Sequence, residues 1–417
     1  MVEEVVGLTI EARGPAAPIG ELCRISRGAN RRPVLAEVCG FRGERLLLLP
    51  LGRSDDVEPG ALVTALGTEL AVPVGPQLLG RVVDAVGRPV DDGGPIRCAQ
   101  RRPARVEAPP AMRRRRVTEP LWVGVRAVDG LLTCAKGQRV GIFAGSGVGK
   151  SVLLGMMARN TSADVTVIAL VGERGREVLQ FVSDYLGDSL GRCVVVVATS
   201  DEPPLTRLKA GLTATTIAEH FRGEGMDVLL LMDSLTRLAR AQREVGLSAG
   251  EVPTTRGYPP SVFTMLPELL ERAGAGEDGT ITALYTVLVE ADDMNEPVAD
   301  AVRATLDGHI VLSRELANHA HYPAVDITRS ISRLMQQVVA PEHRRDADAL
   351  RRLLAAWENA RDLISIGAYQ HGSDRLVDEA LGLLGPIRSY LQQEPEDRSS
   401  PHATVARLRE LVSGHGS

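Results

Sequence analysis

Aromatic side chains are scarce. They make up 3% of a 417-residue chain, and Phe41 stands alone among the first 70 residues. Single-stranded nucleic-acid readers lean on rings for stacking, so a base-stacking platform is disfavoured. An excess of one charge sign is missing too. The formal net charge is −5, which argues against a general nucleic-acid binder. No apolar run approaches the roughly 20 residues that a membrane helix needs. The N-terminus, Met1-Val2-Glu3-Glu4, is acidic and carries no signal-peptide pattern. The five cysteines, Cys23, Cys39, Cys98, Cys134 and Cys193, are scattered and odd in number. No two have metal-ligand spacing, so they read as reduced thiols, mostly small core residues, in a cytoplasmic protein.

What is present centres on one stretch, Ala144-Gly145-Ser146-Gly147-Val148-Gly149-Lys150-Ser151. The apolar run Arg139–Phe143 precedes it, and the helix-compatible Val152–Arg159 follows. Strand, glycine-rich turn and helix start are the context of a phosphate-binding loop. Glycines let backbone N–H groups converge on phosphate oxygens without Cβ clashes. In such a loop Lys150 reaches the β- and γ-phosphates and the Ser151 hydroxyl ligates Mg²⁺. Ala144 stands where the usual pattern has glycine, a mild departure.

The chain divides into three expected parts. Residues 1–72 read as a β-barrel of short strands: Val5–Ile10, Glu21–Ile25, Val34–Phe41, Arg45–Leu49, Ala61–Ala65 and Leu70–Val74. Arg13-Gly14-Pro15, Gly28-Ala29-Asn30 and Glu58-Pro59-Gly60 punctuate them. Gly75–Pro120 reads as a wrapped connector, and its four arginines, Arg113–Arg116, as a solvent-facing run. The connector belongs with a nucleotide domain spanning 73–340. Unbroken apolar runs at Val165–Val171, Cys193–Ala198, Val228–Met232, Ile281–Val289 and Ile310–Leu312 predict a mostly parallel sheet covered on both faces. Residues 341–417 read as helical. Leu350, Leu353, Leu354, Trp357 and Ile364 share one face, as do Leu376, Leu383, Leu384, Ile387 and Leu391. A third helix carries Val405, Leu408 and Val412, and a polar stretch, Gln392–Ser400, interrupts the pattern.

Ligands of parallel sheets gather at the C-terminal strand ends. The phosphate loop, Gly172-Glu173-Arg174, Ala198-Thr199-Ser200 and Asp233 all fall there. Leu229–Asp233 is an apolar strand ending in a carboxylate, the form of a second Mg²⁺-site motif. Alone, a strand-end Asp such as Asp233 is more often a helix cap, here before Ser234–Arg237, than a metal partner; beside a phosphate loop the metal reading takes over. Glu173, at the next strand end, has the position to orient and polarise an attacking water. The bland alternative is an ion pair with Arg174 or Arg176.

Several longer stretches carry a resemblance. Gly172-Glu173-Arg174-Gly175-Arg176-Glu177-Val178 lies 23 residues past Lys150, counted to the Glu. Together with Ala198–Pro203, Ala241–Leu247, Thr254–Phe263 and Leu306–Arg314, it resembles the hexameric ATPases of type III protein export, relatives of rotary ATP synthase subunits. The resemblance covers nearly the whole chain. It implies an α/β fold, a RecA-like P-loop core with an N-terminal β-barrel and a C-terminal helical domain. It implies ATP and Mg²⁺ as cofactors. It makes Glu173 the catalytic carboxylate, Arg174 a γ-phosphate contact and Arg333, in Ser330-Ile331-Ser332-Arg333, an arginine finger delivered across a subunit interface. Tyr322, in His321–Asp326, matches the aromatic that packs on adenine. No second aromatic appears near Leu391–Pro395, so the base is expected to be held on one face, with loose nucleotide selectivity.

The helix after the phosphate loop looks flagellar, whereas Ile19–Cys23 and Val128–Cys134 look closer to injectisome ATPases. Flagellar export is the favoured branch. The resemblance implies a homohexamer, with export-gate components, a stator-like regulator, a central stalk protein, export substrates and chaperones as partners. It further implies a peripheral place at the cytoplasmic face of the inner membrane, with no specific nucleic acid bound. The barrel begins almost at once, which leaves little of the arm that engages the regulator. Three competing readings make their own predictions. A non-catalytic subunit predicts a neutral residue at 173. A rotary catalytic subunit predicts two adenine-side aromatics. An RNA translocase predicts aromatics on an N-terminal RNA surface.

Overall fold

The computed structural model describes residues 1–27, 31–289 and 293–413. The expected turn at Gly28-Ala29-Asn30 lies outside them. Six strands form the N-terminal sheet: β1 (Val2–Val6), β2 (Thr9–Arg13), β3 (Leu22–Ile25), β4 (Val34–Arg42), β5 (Arg45–Leu51) and β6 (Val63–Ala65). They run antiparallel in the order β1-β2-β5-β4-β3-β6. The open edges meet beside β6. Val2 N–H donates to Ala61 O at 2.9 Å and Gly60 N–H to Val2 O at 2.8 Å. The single strand expected at Val5–Ile10 is a hairpin instead. Gly7 at φ 58° makes the turn that an L side chain resists, and Val6 pairs with Thr9.

The connector is more built than its composition suggests. β7 (Ala71–Val74) leaves the barrel sheet and pairs with β9 (Gln100–Pro103). Between them β8 (Arg81–Val83) adds a parallel edge strand to the central sheet. The arginine run is not simply solvated. Arg114 reaches Ala273 O, Glu271 O and the Glu271 carboxylate at 3.2, 2.6 and 3.0 Å, tying the connector to the core.

A short clip follows: β10 (Pro120–Leu121), α1 (Arg126–Leu131) and β11 (Cys134–Ala135). The core then alternates strand and helix through β12 (Arg139–Ala144), α2 (Lys150–Asn160), β13 (Val165–Glu173), α3 (Gly175–Gln180), β14 (Cys193–Thr199), α4 (Pro204–Gly223), β15 (Asp227–Asp233) and α5 (Leu235–Ser248). It continues through α6 (Pro260–Arg272), β16 (Gly274–Ala275), β17 (Thr280–Leu288), α7 (Pro297–Thr305), β18 (Gly308–Leu312), α8 (Arg314–Asn318), β19 (Val325–Ser332) and α9 (Met335–Val338). The sheet order is β19-β18-β12-β17-β15-β13-β14-β8, with β16 pairing β17. All pairs are parallel except those of β16 and β19.

Every residue of β13 is buried, as its unbroken apolar run predicts. Alternation splits it between two cores. Val167, Ala169 and Val171 face α4, α5 and α6, while Ile168 and Leu170 face the layer of α2. The C-terminal helices α10 (Pro341–Ser365), α11 (Arg375–Leu391) and α12 (Pro401–Ser413) join that second layer. Leu350, Leu353, Leu383, Ile387 and Leu408 share one apolar cluster with Leu153, Leu154, Met156 and Met157 of α2. Leu376, expected on the buried face, is exposed; the stripe starts at Val377 and runs through Ala380.

Candidate functional site

The chain after β12 turns through the glycine loop into α2. Gly149 adopts φ 85°, and a Cβ there would meet the Tyr322 ring at 3.4 Å. Only glycine gives both the left-handed backbone and the room. α2 then starts at Lys150, so its first N–H groups face the loop. Gly145, Ser146, Gly147 and Val148 complete the loop, and Ser151, half-buried, sits in the first turn of α2.

Lys150 lies between two carboxylates. Its ammonium contacts Asp233 Oδ1 and stands 3.6 Å from Glu173 Oε1. These acids end β15 and β13, adjacent parallel strands. Asp233 is 2% exposed and Glu173 7%. Thr286, on β17, donates its hydroxyl to Asp233 Oδ1 at 2.7 Å. Asp233 is not the helix cap. Ser234 caps α5, its Oγ accepting from Arg237 N–H at 3.3 Å. Two buried carboxylates at strand ends around an ammonium at a helix start make a site that a phosphate chain can enter by displacing the acids from Lys150.

Glu173 has a partner that sequence reasoning passed over. Arg237, one turn into α5, pairs with Glu173 Oε1. The signal was local: Arg237 lies in the first turn of the helix that starts directly after Asp233, next to the strand ends. Arg174, in contrast, is exposed and pairs with Glu177 at 3.4 Å. A hydrogen bond with the Glu173 carboxyl, then Arg174 and Arg237, hold Glu177 below the usual carboxylate range. The Glu173–Arg174 ion pair weighed from sequence is therefore not formed. Thr199 turns to its own loop, its hydroxyl on Asp201 at 2.7 Å, while Ser200 N–H bonds Glu173 O at 3.0 Å.

Arg333 follows β19 and is exposed; its backbone N–H bonds Asp307 O at 3.1 Å. No ion pair to its guanidinium occurs among the described residues. Lys150, Glu173 and Asp233 thus come together, and Arg174 and Arg333 stand outside that cluster.

Beside the loop opens a cavity of about 670 Å³. Gly147, Gly149, Val152 and Met156 form one side, Tyr322 another, and Gln392, Glu394 and Asp397 the third. Tyr322 is its sole aromatic among the described lining residues, as the one-faced base expectation requires. The polar stretch after α11 was read as an interruption between helices. It is a cavity wall, brought back to the core by Arg159, which donates to Pro395 O at 2.6 Å.

A metal would find little protein ligation here. Among the described residues no group of three or more His, Cys, Asp or Glu is arranged to hold an ion. One hydroxyl, Ser151, and one buried carboxylate, Asp233, fit Mg²⁺, which keeps waters and takes its remaining oxygens from phosphates. The thiols are free. Burial pushes Cys134 up to about 12 and Cys193 up to about 11.

Comparison with known proteins gives three family matches. Residues 2–67 match the β-barrel domain of the ATP synthase alpha/beta family, residues 124–332 its nucleotide-binding domain, and residues 339–410 the T3SS EscN ATPase C-terminal domain. The flagellum-specific ATP synthase of Bacillus subtilis is 52% identical over 99% of this chain and 94% of its own length. The type 3 secretion system ATPase of Xanthomonas euvesicatoria is 50% identical over 99% and 93%. Among solved structures, the assembled ATPase EscN of enteropathogenic E. coli matches with TM-score 0.93 at 47% identity, covering 99% of both chains. EscN in complex with its central stalk EscO matches with TM-score 0.91 at 46% identity, again over 99% of both.

Proposed function

The chain belongs to the ATP synthase alpha/beta family, in its type III export branch, and on that premise we propose that it is a Mg²⁺-dependent ATPase of flagellar protein export. Hydrolysis drives unfolding of export substrates and their release from chaperones. One observation carries the reading: a half-buried Lys150 shared by the buried Glu173 and Asp233 under a glycine loop. ATP entering the loop gives Lys150 phosphate oxygens in place of carboxylates. Glu173, freed from Lys150, accepts a hydrogen bond from the attacking water and takes its proton. Arg237 orients the Glu173 carboxylate from the other side. Ser151 and, through water, Asp233 would hold Mg²⁺, which would supply charge neutralisation at the phosphates. Tyr322 packs on one face of the adenine.

The active form in this proposal is a homohexamer. Glu173 and Arg333 come from one chain, and exposure of Arg333 suits delivery to the neighbouring subunit's γ-phosphate. The exposed Arg174 joins the γ-phosphate once nucleotide is bound. EscN, the relative above, was solved with a central stalk, and a stalk protein is the partner proposed for the C-terminal helices here. Export-gate components, a stator-like regulator, chaperones and cargo complete the set, at the cytoplasmic face of the inner membrane.

The test mixes two inactive chains, Glu173→Gln and Arg333→Ala. Mixed rings contain some interfaces where an intact Glu173 faces an intact Arg333, so activity partly returns. Mixed rings that form but regain nothing overturn the finger in trans. Virulence secretion is the second reading, favoured by the EscN likeness and the 50% identity to a secretion-system ATPase. Flagellar or injectisome genes beside this one decide between them.

A further inference from the structure

The cavity wall opposite Tyr322 is a loop without regular structure, so something must fix its distance from the ring. Gln393 does so. It is 4% exposed and meets four partners in three chain segments. Its backbone N–H donates to Tyr322 O at 2.9 Å. Its side-chain Oε1 accepts from Arg126 N–H at 2.9 Å, and Nε2 donates to Gly124 O at 2.9 Å and Asp397 O at 3.1 Å. The backbone of Gln393 therefore ties the wall to the Tyr322 side, and its side-chain amide anchors that wall to the segment before α1. That anchor is firm in turn, because Gly124 N–H donates to the buried Asp129 carboxyl at 2.8 Å. Arg126 adds a second fastening through its Nε to Tyr390 O at 3.0 Å.

We infer that Gln393 is a positioning residue that sets the width of the base pocket, and so controls ATP affinity without touching the phosphate chemistry. The inference rests on the reading of this cavity as the base site. Removing the buried amide leaves Gly124 O, Arg126 N–H and Asp397 O without partners, and each is costly when dry. The backbone bond to Tyr322 O remains as a pivot, but the rest of the wall drifts about it or takes in water, and the pocket against Tyr322 loosens. Contacts to the base weaken. Lys150, Glu173 and Asp233 stay as they are, because none of them bonds this loop.

The experiment uses the full chain with Gln393→Ala and the volume-matched Gln393→Met. ATP hydrolysis gives kcat and KM, and inhibition by inorganic tripolyphosphate reports the phosphate end alone. Both variants should raise KM for ATP about tenfold, the scale of one lost buried hydrogen bond. Values of kcat should stay within about twofold, and tripolyphosphate inhibition should not change. Equal weakening toward ATP and tripolyphosphate overturns the inference, as does a fall in kcat at constant KM or an unchanged KM in both variants. The wild-type arm tests the underlying reading separately. A chain that binds tripolyphosphate as tightly as ATP has no base site, whatever Gln393 does.

Discussion

The two ends of the proposed nucleotide site are built by opposite means. The phosphate end is charged, nearly dry and assembled from strand ends that neighbour one another in a single sheet. The base end mixes apolar and polar lining, is open to solvent and is assembled from one face of α2, a turn before β19 and a loop after α11. At the first, electrostatics in a low-dielectric pocket does the chemistry. At the second, hydrogen bonds hold a gap of the right size. The difference predicts that damage at the phosphate end appears in turnover and damage at the base end in affinity.

The sharpest test is Arg333→Ala. A finger acting from the neighbour contributes on the order of 10³–10⁵ in turnover. The variant should lose activity on that scale while its ATP affinity as an isolated monomer barely changes, and Arg333→Lys should restore little, since one ammonium cannot copy the guanidinium fork. Steady-state kinetics and nucleotide titration of the same preparations check both halves. Next comes Glu173→Gln, which keeps shape and removes the base. Turnover should fall about 10²–10⁴-fold with binding retained; normal hydrolysis would displace Glu173 from its role.

The base end should respond less and differently. Tyr322→Ala removes the one ring in the cavity and should raise KM for ATP by about tenfold, the scale of a stacking contact. A comparable fall in kcat would erase the contrast between the ends. The smallest effect concerns the support behind the pocket. Burial pushes the Asp129 carboxyl up to about 7, against N–H bonds from Val123 and Gly124 that pull it down. Its unfolded value is about 3.9. The folded form therefore keeps a proton that the unfolded chain has released. The stability this contributes is full below about pH 4 and is lost as pH rises through about 7. Melting temperature should fall slightly from about pH 6 to 8, and Asp129→Asn should flatten that slope. Parallel slopes in the two proteins would show that another group sets it.

Legibility in the sequence followed the same divide. Lys150, Glu173 and Asp233 each sit within a contiguous strand-end motif, so local pattern was enough to find them. The nucleotide sheet was legible because β13, β15 and β17 are long, mostly apolar runs buried along nearly their whole length. β8 was not. Three residues of Arg-Val-Val in a Gly- and Pro-rich stretch carry no strand signal, and only the exposed edge of β14 makes them one. Arg237 was visible only as part of a helix start. Gln393 was invisible as a contact, because a glutamine in a polar loop advertises solvent, and its partners Gly124, Arg126 and Tyr322 are distant in the chain. The hairpin at Gly7 was lost for a simpler reason: Val5–Ile10 is apolar enough to read straight through the turn.

The wall at Gln392–Asp397 also sets an order in time. A polypeptide leaves the ribosome N-terminus first, and its domains fold as they emerge. The barrel is complete once β6 is out, and the phosphate loop follows with β12 and α2. The base wall arrives only after α11, just ahead of the last helix. In the proposed site, a nascent chain stalled before Gln392 has the phosphate loop and Tyr322 but lacks the wall that faces the ring. The proposed base pocket is thus completed only after α11 has emerged, long after the phosphate loop that it adjoins.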